Sequence, residues 1–287
     1  NWVPSPTSSP YLDISAGNRL TCSIKLDKSI ECLGKGLNGN GPISPPVGTF
    51  MSIQSSSHLD YESGACAIDT DGGLSCWGGP DNIFSTISYD GRPVTDVKVG
   101  AAHVCVIDDL GEVWCSNQDT REIGAQKISL GTSHSCSLLD DGSIKCWGAG
   151  NYGQLGNWKS DRENTPTQTA PLGAGRTAVA ITAGLRHTCA ILDDGTVKCW
   201  GHNQEGQLGD GTDGTEREKP TQTASLGAGR TAVAISAGGE HTCAILDDGS
   251  IKCWGAGNYG QLGNGHGNRK NTPTQTAPLG AGRTAVA

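Results

Sequence analysis

Between His241 and Gly255 apolar side chains recur at every second position on either side of a short polar break. Cys243 and Ile245 precede the break, and Ile251 and Cys253 follow it. A period of two predicts two strands, each turning these residues to one side. The break itself, Asp247-Asp248-Gly249, has the chemistry of a three-residue hairpin loop. Asp starts the turn and Gly supplies the positive φ. With that loop Leu246 faces Ser250, and counting back sets Cys243 opposite Cys253. Directly opposed Cα atoms in an antiparallel pair lie about 4.5–5.5 Å apart, within reach of a disulfide. The segment is expected to be a hairpin stapled across its own rungs.

The same spacing recurs at Cys22 and Cys32, Cys66 and Cys76, Cys105 and Cys115, Cys136 and Cys146, and Cys189 and Cys199. All twelve cysteines are used, always as Cys-x9-Cys, so the chain is a repeat protein with six hairpins. Asp140–Asn157 is identical to Asp247–Asn264, and Thr165–Ala180 to Thr272–Ala287. Each late unit reads Thr-Ala-Val-Ala-Ile-x-Ala-Gly, the hairpin, Gly-Gln-Leu-Gly, and then a Thr/Pro-rich stretch expected to be a loop. The first repeat is degenerate, with Leu33-Gly34 after its second Cys, and the third has Ser116-Asn117 there. Atypical end repeats are expected where one face has no neighbour. Residues 1–11, with three Pro and three Ser, read as an extended arm, leaving 12–287 as a single domain.

Composition narrows the class. Glycine, 43 of 287 residues, is about twice its ordinary usage, and no long stretch with helical periodicity lacks it. The fold expected is all-β, with helix minor. A net charge of −8 leaves no basic stripe to follow phosphates, which argues against nucleic acid. No apolar run approaches the ~18 residues of a membrane span. Nothing at the N-terminus resembles a signal peptide and there is no initiator Met, so the chain is expected to be a processed or partial form. Paired cysteines in this number imply an oxidising compartment: outside the cell, on its surface, or in a secretory lumen. Zinc sites prefer roughly two to four residues between paired ligands, so nine through a hairpin argues against metal.

The pattern Ala237-Gly238-x-x-His241-Thr-Cys-Ala-Ile-Leu-Asp-Asp-Gly, then Cys253-Trp254-Gly255, then Gly260-Gln261-Leu262-Gly263, resembles the regulator-of-chromosome-condensation repeat. The resemblance is strong in repeats four to six, moderate in one and two, and weak in three. It implies a β-propeller with one blade per repeat, usually of seven blades; six are counted here, and residues 284–287 would open a seventh. Either six blades close, with residues near Ala287 against the N-terminal arm, or the stretch belongs to a longer array; closure is the expectation. The family mostly supplies interaction platforms.

Several residue sets invite chemistry. His103, His134, His187 and His241 each stand two residues before the first Cys of a hairpin. Groups repeated once per blade cannot converge on one ion, so they are read as structural imidazoles. Trp77, Trp147, Trp200 and Trp254 in Cys-Trp-Gly are likewise assigned to structure. Gly255-x-Gly257-x-x-Gly260 and Gly148-x-Gly150-x-x-Gly153 match a dinucleotide fingerprint, but no helix start follows to hold pyrophosphate. Asp140-Asp141, Asp193-Asp194 and Asp247-Asp248 are read as turn starters rather than calcium ligands or an acid/base pair. No Asn-x-Ser/Thr acceptor occurs; the Thr/Pro segments suit O-linked sugars.

No catalytic constellation survives, so a non-enzymatic, extracellular or cell-surface platform without a cofactor is expected. It would bind a protein partner or self-assemble into a sheath, coat or filament. Arg176, Arg230 and Arg283 are candidate contacts for such a partner. A carbohydrate-binding propeller is the alternative, with Asn151-Tyr152 and Asn258-Tyr259 as candidates. The family resemblance adds a guanine-nucleotide exchange factor, against which charge and cysteines stand. An inhibitor of a secreted enzyme lacks an identifiable aromatic or Arg anchor in the sequence.

Overall fold

The computed structural model describes residues 11–17, 20–34, 44–56, 64–78, 90–101, 103–116, 118–280 and 283–285. These form six antiparallel sheets, with no helix among the described residues. Blade 1 holds β1 (Tyr11–Ala16), β2 (Leu20–Lys25) and β3 (Ile30–Gly34); blade 2 holds β4 (Phe50–Ser55), β5 (Gly64–Asp69) and β6 (Leu74–Gly78). Blade 3 holds β7 (Val94–Val99), β8 (Val104–Asp108), β9 (Val113–Cys115) and β10 (Gln118–Glu122). Blade 4 holds β11 (Ala125–Leu130), β12 (His134–Leu139), β13 (Ile144–Gly148) and β14 (Glu163–Gln168). Blade 5 holds β15 (Ala178–Ala183), β16 (His187–Leu192), β17 (Val197–Gly201) and β18 (Arg217–Gln222). Blade 6 holds β19 (Ala232–Ala237), β20 (His241–Leu246), β21 (Ile251–Gly255) and β22 (Lys270–Gln275). Each sheet is a meander. The stretch read as one domain divides into two compact units, Asn1–Ile123 and Gly124–Ala287.

The hairpin register is the one the spacing predicts. Ile245 pairs with Ile251 and Cys243 with Cys253, and the Cys rung repeats in the other five blades. Leu246 N–H donates to Ser250 C=O at 2.9 Å, and Gly249 N–H to Leu246 C=O at 2.9 Å, with Gly249 at φ 74°. Counting in twos from that bonded rung puts the Cys pair on a non-hydrogen-bonded one, where strands come closest. The Cα separations are 4.0–4.1 Å, and all six disulfides join Cys-x9-Cys partners.

Two features differ from the sequence reading. The Thr/Pro-rich stretches are not all loop: Thr165-Pro166-Thr167-Gln168 lies in β14, and its counterparts lie in β18 and β22. These are the outermost strands of their blades, where proline's missing N–H has no ladder partner to disappoint. Edge prolines also discourage another chain from pairing there. Tyr11, assigned to the arm, opens β1, while residues 1–10, and with them closure against the arm, lie outside the described residues.

Apolar packing links successive blades within each unit. In the first unit Leu20, Ile24, Phe50 and Ile53 join blades 1 and 2, and Ile68, Val94 and Val106 join blades 2 and 3. In the second, Leu138, Ile144 and Leu155 meet Leu192 and Trp200, while Ile191, Val197 and Leu208 meet Leu246 and Trp254. Cys136, Cys146, Cys189 and Cys199 are fully buried inside these clusters, so the staples of blades 4 and 5 are dry and also pack. Replacing Cys243 and Cys253 together by Ser should lower stability by about 2–3 kcal/mol through the freed loop of the unfolded chain. Urea denaturation of the two oxidised proteins measures this, and an unchanged midpoint would contradict it.

Candidate functional site: the clasp between blades and its rim

The Gly-Gln-Leu-Gly loops are where one blade grips the next. In blade 4, Gly153 and Gly156 hold φ of 76° and 67°. A Cβ on Gly153 would stand 2.8 Å from Arg217 O and from Glu218 Cα, and one on Gly156 would stand 2.7 Å from Trp200 Nε1. Only glycine combines that backbone with that approach. Between them Leu155 is fully buried against Trp200. The main-chain carbonyl of Gln154 accepts two bonds from blade 5, from Trp200 Nε1 at 3.0 Å and Thr188 Oγ1 at 2.9 Å. Because the Thr188 hydroxyl donates there, it is the acceptor for His134 Nε2–H at 2.9 Å. Blades 5 and 6 repeat the set: Gln207 O receives Trp254 Nε1 at 2.9 Å and Thr242 Oγ1 at 3.0 Å, and Thr242 meets His187 Nε2 at 2.9 Å. Inner strands add one bond each: Ala183 N–H to Ser129 Oγ at 2.9 Å and Ala237 N–H to Thr182 Oγ1 at 3.0 Å.

His134 and His187 therefore sit at a chain of polar atoms that crosses from blade to blade, and the four histidines share a packing position. Their rings lie against Gly100, Gly131, Gly184 and Gly238, where a Cβ would collide with the imidazole. Burial pushes His187 down to about 3, aided by the nearby His134, His241 and His202, and pushes His103 down to about 4. His241, only half-buried, is lowered by burial as well. Trp147, Trp200 and Trp254 are fully buried and Trp77 partly so.

The Asp pairs divide their work. Asp248 Oδ1 accepts from Ser250 N–H at 3.0 Å and Asp141 Oδ1 from Ser143 N–H at 2.8 Å, closing the turns. Asp193 and Asp247 instead meet Arg176 and Arg230 at 3.2 and 3.4 Å, and both arginines also reach the second Asp at 3.2 Å. These two arginines are thus engaged with the turn of their own blade, as half-exposed pairs of small energetic weight. Arg283 is exposed, its N–H donating to Gly280 O at 3.2 Å. Asp90, Asp108 and Glu112 converge as metal ligands would, but Arg92 already lies 3.0, 3.5 and 3.8 Å from them.

Asn151 and Asn258 are both exposed, yet the tyrosines beside them part company. Tyr152 is half-buried on blade 5, with Arg186 Cζ 4.9 Å from its ring centre and His202 edge-on at 4.9 Å. Tyr259, in the same 18-residue sequence, is 94% exposed. The pair do not form two equivalent sugar platforms. The sequence reading missed Trp158, which is 57% exposed at φ 68°. Its counterparts in the next two repeats are Gly211 and Gly265, at φ 87° and 76°, and aligning the repeats exposes the swap. Lys219 Nζ sits 4.3 Å from the Trp158 ring centre, and Trp158 N–H donates to Glu218 O at 2.9 Å.

Residues 125–154, 178–207 and 232–261 match one profile of the Regulator of chromosome condensation (RCC1) repeat, and residues 141–191, 194–245 and 248–286 match another. Together they run from 125 to 286, more than half of the chain. The chain belongs to the RCC1 repeat family. The E3 ubiquitin-protein ligase HERC2 of Homo sapiens is 28% identical over 215 residues, which is 67% of this chain and 4% of that protein. The Ultraviolet-B receptor UVR8 of Arabidopsis thaliana is 32% identical over 160 residues, 55% of this chain and 36% of the receptor. The chain thus spans well under two-thirds of these relatives. Yeast RCC1 (Prp20) bound to Kap60 superposes with a TM-score of 0.76 at 15% identity, over 93% of this chain and 74% of that one. The ectodomain of the Physcomitrella patens receptor kinase CR4 does so at 0.58 and 20% identity, over 88% and 63%. At these identities the likeness establishes the fold, an RCC1-type β-propeller.

In RCC1 terms, repeats 4 to 6 carry the Gly-Gln-Leu-Gly loop, the clasp is formed by those of repeats 4 and 5, and repeats 1 to 3 lack the motif. Thr188→Val removes a hydroxyl that serves two buried partners and should cost about 1–3 kcal/mol, read as a shift in the urea midpoint. Acid should act through the buried imidazoles. Unfolded histidine titrates near 6.5, whereas His187 resists protonation down to about 3 and His103 to about 4. Above pH 6.5 neither state takes the proton and stability is full; from there towards 3 the unfolded chain binds protons that the folded chain refuses. The midpoint should fall steadily between pH 7 and pH 4, and a His187→Gln variant should show a shallower fall.

Proposed function

We propose that this chain is a non-enzymatic protein-binding platform working in an oxidising compartment, outside the cell or at its surface, with Trp158 at the centre of its binding face. The exposed indole carries the reading. A bulky side chain in the left-handed region costs on the order of 1–2 kcal/mol relative to the glycine found at that place in the next two repeats. The contact with Lys219 returns about 0.5–1 kcal/mol at an exposed site, less than the strain. Such strain, retained on a rigid support, marks a residue kept for contact with something else. Trp is also among the residues enriched as anchors of protein interfaces, and Lys219, Ser160 and Glu218 surround it with polar groups.

The compartment reading rests on the six intrablade disulfides, which a reducing cytosol would not maintain. Proteins using this fold meet protein partners: yeast RCC1 was crystallised with Kap60, and Prp20p was studied for its binding to Gsp1p and histones. Tyr152 is occupied by blade 5, which weakens the sugar-binding alternative. Trp158→Gly should leave the urea midpoint unchanged or raise it. The same variant should abolish saturable binding of the oxidised protein on an array of extracellular proteins, where the parent chain binds. Binding confined to a glycan array would overturn the reading, and so would protein binding that survives the substitution. Alkylation of the protein from its source before reduction should block no cysteine; twelve reactive thiols would overturn the compartment.

A further inference from the structure

In repeats 4 to 6 one main-chain bond ties the residue before the hairpin histidine to the residue after Cys-Trp-Gly. Ala149 N–H donates to Ser133 O at 2.8 Å, His202 N–H to Arg186 O at 2.9 Å, and Ala256 N–H to Glu240 O at 2.8 Å. The backbone is constant and the side chains are not, so the fold does not require an Arg and a His at 186 and 202. Blade 4 adds a third side chain to that pair. Tyr152, whose place in the next repeat is taken by Glu205, lies under the Arg186 guanidinium, with Cζ 4.9 Å from its ring centre. It also meets the His202 ring edge-on at 4.9 Å.

Each of the three is held in place. Arg92, Arg176, Arg217, Arg230 and Arg269 reach carboxylates at 2.7–3.2 Å. Arg186, which is exposed, has an aromatic ring for its neighbour instead and, among the described residues, no carboxylate at such a distance. Stacking covers one face of the guanidinium and leaves the N–H groups of its edge, which match a carboxylate in pairs. His202 is oriented from below. Gln207, 1% exposed, accepts Glu205 N–H on Oε1 at 2.9 Å and so turns its Nε2 to His202 Nδ1 at 3.0 Å. Nδ1 is the acceptor there, which leaves Nε2 as the N–H of the ring. Tyr152 is fixed by its own N–H, which donates to Gln154 Oε1 at 2.8 Å.

We propose that Arg186, Tyr152 and His202 form an anion-recognition site that takes the carboxylate of an Asp or Glu side chain from a protein partner. The guanidinium edge gives two parallel bonds, and His202 Nε2–H is a further donor. One stacked cation suits one carboxylate. A sulfated glycan or a nucleic acid is held by a row of cations, whereas this chain carries a net charge of −8. The corresponding positions of the next repeat hold Glu205 and Glu240, which repel a polyanion. The loop of Tyr152 also carries Trp158, and both ends of it rest on one residue: Gly153 presses on Glu218, whose carbonyl accepts the Trp158 N–H. The site stands on its own residues and does not depend on the role of Trp158.

The test titrates the full, oxidised, isotope-labelled chain with a capped Gly-Glu-Gly-Glu-Gly peptide and follows the Arg186 Nε–H and the His202 ring by NMR. Both signals should shift saturably, and the same peptide with Gln for Glu should move neither. Arg186→Met should weaken binding about tenfold or more. Arg186→Lys should not restore it, because an ammonium keeps the charge and loses the fork. Inorganic sulfate and a heparin octasaccharide are the other arms, and both should act more weakly than the Glu peptide. Sulfate shifting the signals as well as the peptide does would make this a site for small free anions, and a response to heparin alone would make it a glycan site. Either result overturns the proposal, as do silence towards the Glu peptide, an equal response to the Gln peptide, and undiminished binding by Arg186→Met. Should Arg186→Met not fold, His202→Ala decides with the same two peptides: a weaker response to Glu supports the site, and an unchanged one overturns it.

Discussion

A single main-chain carbonyl, that of the buried Gln154 or Gln207, receives both an indole N–H and a threonine hydroxyl from the following blade. Everything around it serves that meeting. Two glycines in the left-handed region let the loop come close enough, and a leucine between them fills the space under the indole. The threonine then satisfies a histidine of its neighbour, so two blades cannot separate without stranding several buried polar groups at about 1–3 kcal/mol each. Covalent staples act within each blade and this clasp acts between blades. A repeat array held in both ways is stiff, which is what a binding surface needs if it is to be preorganised.

The first unit reaches a similar end by other means. Its repeats lack the Gly-Gln-Leu-Gly loop, and blades 1 and 2 are joined by apolar packing of Leu20, Ile24, Phe50 and Ile53 with Ser55 N–H donating to Ser15 Oγ at 2.8 Å. In blade 3 the turn is organised by the buried carboxylate of Asp108, which accepts from Leu110 and Glu112 N–H and meets Arg92. Divergence in these repeats has spared the staple and the inner strand while replacing the contacts that sit on top of them.

Where the repeats are nearly identical, the exceptions carry the information. Trp158 departs from the glycine that the backbone prefers, and its contact with Lys219 returns less than that conformation costs. Tyr152 and Tyr259 lie in the same 18-residue sequence, yet Tyr152 is half-buried on blade 5 and Tyr259 is 94% exposed. Stability explains the regular positions; the proposed recognition role is what accounts for Trp158.

Local chemistry was readable from the chain alone. Alternating Cys and Ile around Asp-Asp-Gly set the hairpin, its register and its disulfide, because strand period and turn type are properties of neighbouring residues. Repetition of that unit then implied the all-β blades. The Thr/Pro stretches escaped because their composition is that of a loop; only a position at the outer edge lets proline lie in a strand. The Arg176–Asp193 pair joins residues 17 apart, and the Gln154 carbonyl meets an indole 46 residues on. A main-chain oxygen is the same in every residue and leaves no mark in the letters. Which one becomes a socket is decided by the blade that folds against it.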